Sequence, residues 1–384
     1  MANTKITNPE LFNLGDSTSA TQLPVMTTTQ RIAMTGLSVG EMIFNSDTDK
    51  VEYWDGTKWY GITYEVQVAS LYNNVLYTGS GDTTNGQSIT GIGFKPDLLW
   101  FKSTGTTYYN VLYDSIRGTN AAISSNLTNG TYSNYNRLQS FDNDGFTIKA
   151  NNTADLWKID RSGQPFVAWC FKAGGAAVTT TPAGGLASEV SANVANGFSI
   201  VKFTSDSSAG LKIAHGLSSA PEMIIYKKLN GSQAWYVNTN QVNGNRSEGV
   251  LNTNAAFTNV GSAWSSMSTS TLINSFTSTN GTNYMAYCFH SVAGVSKVGS
   301  YTGTGAGTTV TTGFEPAFVM IKKTSGSADW IIWDNKRGSN ILKPNTSAAE
   351  VVLTNYITYN STGFTFPTSD SGINVGDFIF MSFA

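Results

Sequence analysis

Charged side chains are scarce in this chain. It has 23 Lys and Arg against 25 Asp and Glu, 12% of 384 residues, roughly half the ~25% usual in a globular protein. At a net charge of −2 it has no cationic surplus to meet a phosphate backbone, which excludes nucleic acid as a partner. No apolar run approaches the ~18–20 residues that would cross a bilayer, so membrane insertion is not expected. The opening stretch MANTKITNPE has no apolar signal-peptide core and gives no address for secretion. Two histidines and two cysteines leave too little for metal or triad chemistry. The expectation is a protein with no metal, no cofactor and no enzymatic activity.

What the chain does have is aromatic and apolar content, 12% and 40%, enough to build cores and to argue against disorder. It also repeats itself. Three segments share a marker of a glycine, a bend proline and an apolar run closed by lysine. The first runs from Gly93-Phe94-Lys95-Pro96 through LLWF to Lys102. The second runs from Gly216-Leu217 and Pro221 through MIIY to Lys227 and Lys228. The third runs from Gly313-Phe314-Glu315-Pro316 through FVMI to Lys322 and Lys323. Each is followed by a second shared strand: FVAWCF (166–171), YMAYCF (284–289) and FIFMSF (378–383). Between the markers, Asp114 to Asn120 matches Asp334 to Asn340, and the middle copy keeps only Gly244-Asn245-Arg246.

This order of matches divides the chain into residues 1–74, three related modules at 75–174, 191–294 and 295–384, and a linker at 175–190. The marker runs have strand composition, separated every ~8–12 residues by Gly, Asn, Ser and Thr clusters. The fold class is therefore all-β, with each module an antiparallel sandwich of jelly-roll type. AAEVVLTNY (348–356) is the one stretch that admits a short helix. In the markers, the glycine is expected to take a positive φ and the proline to set the strand's angle. The lysines are expected to mark where the strand emerges into water. Cys170 and Cys288 fall at equivalent repeat positions inside apolar strands, where they read as buried free thiols rather than a bridge.

Residues 1–74 do not match the modules. A polar, extended stretch leads into GEMIFNSDTDKVEYWDGTKWYGI (40–62), which reads as strands around tight turns, with Gly56 suited to a positive φ. A single hairpin is marginal in water, and its aromatics gain most from a subunit interface. The candidate interface residues are Phe44, Tyr53, Trp54, Trp59 and Tyr60.

Gly40, Phe44, Asn45, Asp47, Tyr53, Trp54, Asp55, Gly56 and Trp59 form a pattern that resembles a segment near the N-termini of bacteriophage tail fibres and related virion appendages. The repeated modules look like β-domains of marine phage structural proteins. The resemblance implies a homotrimer on the virion surface, synthesised and assembled in the bacterial host cytoplasm. It also implies an N-terminal region held by another virion protein, whether tail, adaptor or capsid, with the modules facing outward toward a host surface glycan. A capsid decoration or head fibre, and a polysaccharide-degrading tailspike, are the other readings of the same parts.

Candidate sites are few. His215 and His290 lack a serine elbow, an HExxH spacing or a local acid. Asp142-Asn143-Asp144-Gly145 opens like a calcium loop but lacks the later glutamate, and reads as a hairpin turn. Asp155 and Asp160, with Asp142 and Asp144, are the acids a depolymerase would draw on. Tyr108, Tyr109, Tyr132 and Tyr135, set among Asn, Ser and Thr, are the candidate ligand-binding residues, as aromatic faces and amides on loops suit a sugar.

Overall fold

The computed structural model describes residues 23–62, 71–133, 137–151, 154–206, 212–242, 244–263, 268–269, 272–274 and 280–384. The chain divides into two compact units, Met1–Gln67 and Val68–Ala384.

The first unit is a small sheet. Val25–Met26 lies parallel to Met42–Asn45, followed by the antiparallel strands Lys50–Trp54 and Trp59–Ile62. One turn of helix, Thr28–Ile32, opens with a capping box in which Thr27 and Gln30 satisfy each other's backbone N–H groups.

The second unit is β throughout its described residues. In the first module Tyr72–Thr78, Pro165–Phe171, Leu98–Ser103, Val111–Asp114 and Ala121–Ser124 lie side by side, with Tyr132–Ser133 at the far edge. The second module repeats this order with Phe198–Thr204, Asn283–Phe289, Met223–Lys228, Tyr236–Val242 and two further strands. The third repeats it with Ser296–Thr304, Val375–Phe383, Phe318–Lys323 and Ile331–Asp334. A smaller sheet covers one face of each, for example Gln87–Thr90, Gly145–Ile148 and Leu138–Asp142 in the first module. The marker glycines Gly93, Gly216 and Gly313 all have positive φ (86°, 71° and 90°), as their turns require.

Alternation along the marker strand explains why these runs are apolar on both faces. Leu99 and Phe101 enter the first module's own core, while Leu98 and Trp100 point the other way. Ile224 and Tyr226 divide from Met223 and Ile225 in the second module, and Val319 and Ile321 from Phe318 and Met320 in the third. The second set from all three modules forms one shared core, to which Trp169, Tyr287 and Met381 also belong. Each such side chain buried there contributes about 1.5–3 kcal/mol relative to exposure. The modules are thus arranged around a common apolar centre.

Polar contacts close the arrangement in one rotational sense. Lys227 Nζ of the second module donates to Thr128 O of the first at 2.9 Å, Lys322 Nζ of the third to Asn254 O of the second at 3.1 Å, and Lys102 Nζ of the first to Ser347 O of the third at 2.8 Å. The position eight residues on follows the same rule. Trp235 Nε1 donates to Ser124 O, Trp330 Nε1 to Val250 O, and Asn110 Nδ2 to Thr346 O. Second to first, third to second and first to third is a closed ring of pseudo-threefold symmetry within one chain.

The ring corrects the expectation that the marker lysines emerge into water. Lys102, Lys227 and Lys322 are each 0% exposed. Their ammoniums donate to two or three backbone carbonyls of their own and the neighbouring module, which offsets much of the cost of burial. The second lysines of the pairs, Lys228 and Lys323, are half-buried.

AAEVVLTNY (348–356) forms no helix; Val351 bridges Ile341 instead. The stretch 175–190 carries the strand Val178–Thr180, which pairs with Ser188–Asn193 on the second module's sheet. Cys170 and Cys288 are free and fully buried, one in each of two module cores.

Candidate functional site

The N-terminal motif residues hold the small sheet together. The Asn45 side-chain amide donates to both oxygens of the buried Glu52, which also pairs with Arg31 at 2.6 Å. Burial pushes the Glu52 carboxyl up, but the bonds from Arg31, Asn45 and Thr48 outweigh it and leave it below its ordinary value. Asp47 accepts from Thr28 N, which ties the helix to the strand turn. Asp55 accepts from the backbone of Thr57 and Lys58, and Gly56 at φ 99° completes that turn.

The register separates the candidate interface residues. Met42 opposes Tyr53 and Phe44 opposes Val51; Tyr53 opposes Tyr60 and Trp54 opposes Trp59. Since successive residues alternate faces, Phe44, Tyr53 and Tyr60 share one face with Met42 and Val51. Trp54 and Trp59 share the other with Ile43. Tyr53 stacks on Tyr60 at 5.6 Å and Trp54 leans on Trp59 at 5.7 Å. All five remain half-buried in the single chain.

Two of the candidate ligand tyrosines meet on one indole and a third lies apart from it. Tyr108 is half-buried, lies parallel to Phe166 and lends its carbonyl to Lys102 Nζ, so it supports the ring. Tyr109 meets Trp157 edge-on and Tyr132 stacks on the same indole at 5.0 Å. Tyr132 is 42% exposed, and Tyr135 lies outside the described residues.

The candidate acids and histidines all have structural partners. Asp144 accepts from Gly91 N and Gly93 N beyond the neighbouring strand, and Asp142 from Thr147 Oγ1 within the hairpin. Asp155 pairs with Arg137 at 2.7 Å, and Asp160 accepts from Ser80 Oγ and Gly81 N. Buried His215 accepts from Leu217 N at Nδ1, and its Nε2 faces Thr269 O at 3.1 Å. Burial pushes this imidazole below its ordinary value, against the Thr269 carbonyl that favours the proton. His290 Nδ1 lies 2.9 Å from Ser291 O. Among the described residues no cluster of three or more His, Cys, Asp or Glu could hold a metal.

Two buried ion pairs knit the ring further. Asp114 accepts from Arg117 at 2.6 Å within the first module and from Tyr287 Oη of the second at 2.9 Å. Asp334 accepts from Arg337 at 2.7 Å and from Trp169 Nε1 of the first module at 2.9 Å. The repeated Asp…Arg pattern in the sequence is thus a seam device.

At the seam between the first and third modules lies a cleft of about 480 Å³. The first module contributes Leu76, Thr78 and Pro165, and the third Lys336, Asn340 and Glu350. Glu350 links to Arg337 at 2.8 Å and to Asn340 at 3.1 Å. Sequence reading missed this place because its two halves are far apart in the chain.

Residues 67–384 match a family described as a domain of unknown function, DUF7483. Residues 3–81 match the phage tail like trimerisation region. No curated protein and no solved structure matches this chain. Among the described residues no helix is long and apolar enough to cross a membrane. The trimerisation region identifies a trimeric phage structural protein, a component of the virion. By a match that spans well over half of its length, the chain belongs to the DUF7483 family, carried behind a phage tail-like trimerisation region.

Proposed function

We propose that this protein is a phage tail fibre or spike that attaches the virion to a host surface glycan, without catalysis. The observation that carries the reading is the joining, in one chain, of an N-terminal trimerisation region to a β-unit closed on itself. On this reading the N-terminal region docks on another virion protein, and three copies present three rings to the host. Weak contacts of one ring to a glycan are then multiplied by the trimer and by several fibres. The half-covered face of Phe44, Tyr53 and Tyr60 supports a subunit contact there. The engagement of Asp142, Asp144, Asp155 and Asp160 in turns and ion pairs supports a non-enzymatic role.

The test is a phage lacking the chain. Intact particles that fail to adsorb support attachment. Adsorption retained with fragile particles would instead make the protein a capsid decoration or head fibre. Reducing ends released from host polysaccharide by the purified chain would make it a depolymerase.

A further inference from the structure

We infer that the cleft between the first and third modules is the glycan site, and that it takes a neutral, hydroxyl-rich saccharide of one or two sugar units. The inference rests on the attachment reading above and gives it a place. The ring has three pseudo-equivalent seams, and setting this one beside the seam of the first and second modules shows a difference. Thr131 N of the first module bonds Leu229 O of the second at 2.7 Å; Glu350 N of the third bonds Thr104 O of the first at 3.0 Å. These are the same position of the repeat, since Thr128 and Ser347, three residues earlier in each case, supply the carbonyls for Lys227 and Lys102. A threonine at one seam is therefore a carboxylate at the other, and it stands in the cleft.

The chemistry of the lining selects the ligand. Glu350 is held by Arg337 and Asn340, so its carboxylate is fixed in direction while each oxygen keeps a further lone pair for a hydroxyl donor. Exposed Lys336 has no ion-pair partner among the described residues and adds donors to the same lining. With Asp334 behind Arg337, two acids and two bases balance in charge, so an anionic ligand gains nothing and meets Glu350. Leu76, 46% exposed, and Pro165 present C–H surface to the less polar face of a sugar ring. An apolar ligand would strip water from Lys336 and from the free lone pairs of Glu350 and give nothing in return. The volume, about 480 Å³, falls within the ~300–1,000 Å³ of small-ligand sites.

The experiment uses the full-length trimer with maltose, lactose and chitobiose as probes, read by saturation-transfer NMR, and host polysaccharide read by surface binding. The variants are Leu76→Trp, which fills the cleft from an exposed position, and Lys336→Ala, which removes an exposed donor. Binding of at least one probe, weakened tenfold or more in both variants with unchanged melting, supports the site. Undiminished probe or polysaccharide binding in both variants overturns this site and leaves the attachment reading standing. A folded wild-type trimer that binds neither probe nor host polysaccharide overturns both.

Discussion

Lys227 of the second module is tied to Thr128 of the first, its ammonium donating to the backbone carbonyl at 2.9 Å with no water access. Gln233 O and Lys228 O complete the cradle at 2.9 and 3.0 Å. Lys227→Met is therefore expected to orphan carbonyls at a seam. The relief of burying a cation offsets only part of that loss, for a net cost of about 1–2 kcal/mol by urea denaturation. A variant as stable as wild type would show that the seam does not depend on this lysine.

Burial pushes the Lys102 ammonium down from its ordinary 10.5 to about 7, and Lys227 and Lys322 to about 8. Between those values and 10.5 the unfolded chain holds protons that the folded chain has released. The lysines' contribution to stability should therefore rise with pH across that window and be flat below it. Subtracting the pH profile of Lys102→Met from that of wild type isolates the effect of Lys102. A difference that falls between pH 7 and 10 would contradict the burial account.

Asp334 serves both Arg337 and Trp169, all three buried. Asp334→Asn leaves the guanidinium with Glu350 as its one acidic partner among the described residues and is expected to cost about 1.5–3 kcal/mol. Trp169→Phe removes one hydrogen bond and some packing and should cost less. Chemical denaturation of both variants orders them.

Because the ring closes within one chain, residues 68–384 alone are expected to be monomeric, whereas the full chain should have three times the 41.1 kDa mass. Light scattering on both distinguishes them. Tyr53→Ala with Tyr60→Ala should dissociate the full-length trimer without lowering the melting temperature of the ring. A persistent trimer would move the subunit contact off that face.

Both thiols are buried, and burial pushes Cys288 up to about 12 and Cys170 further still. A thiol reagent is expected to label neither in the native protein at neutral pH. Labelling of Cys170 and Cys288 on denaturant titration, separated by mass spectrometry, should occur together, as one cooperative ring demands.

Much of the fold was legible. The Gly–Pro–apolar–Lys markers and the FVAWCF, YMAYCF and FIFMSF strands located three β-modules because duplication preserves both spacing and alternation. The N-terminal motif was readable because its residues act over short sequence distances: Asp55 on Lys58, and Asn45 on Glu52. The marker lysines misled because a cation closing an apolar strand normally reaches water. Nothing local in Lys102 says that Ser347 O waits for it. Nor does anything local in Tyr108 show that its ring lies along Phe166 and its carbonyl cradles Lys102.

The sequence by itself determined the all-β modules, their number and the tight turns between strands, since these follow from local φ preferences and from period-2 burial. Only the tertiary structure decided that the second apolar face of each module meets the other two, that the seams run in one rotational sense, and that Glu350 and Leu76 line one cleft. Those outcomes depend on groups hundreds of residues apart being brought together by closure of the ring, and no window of the chain contains both partners.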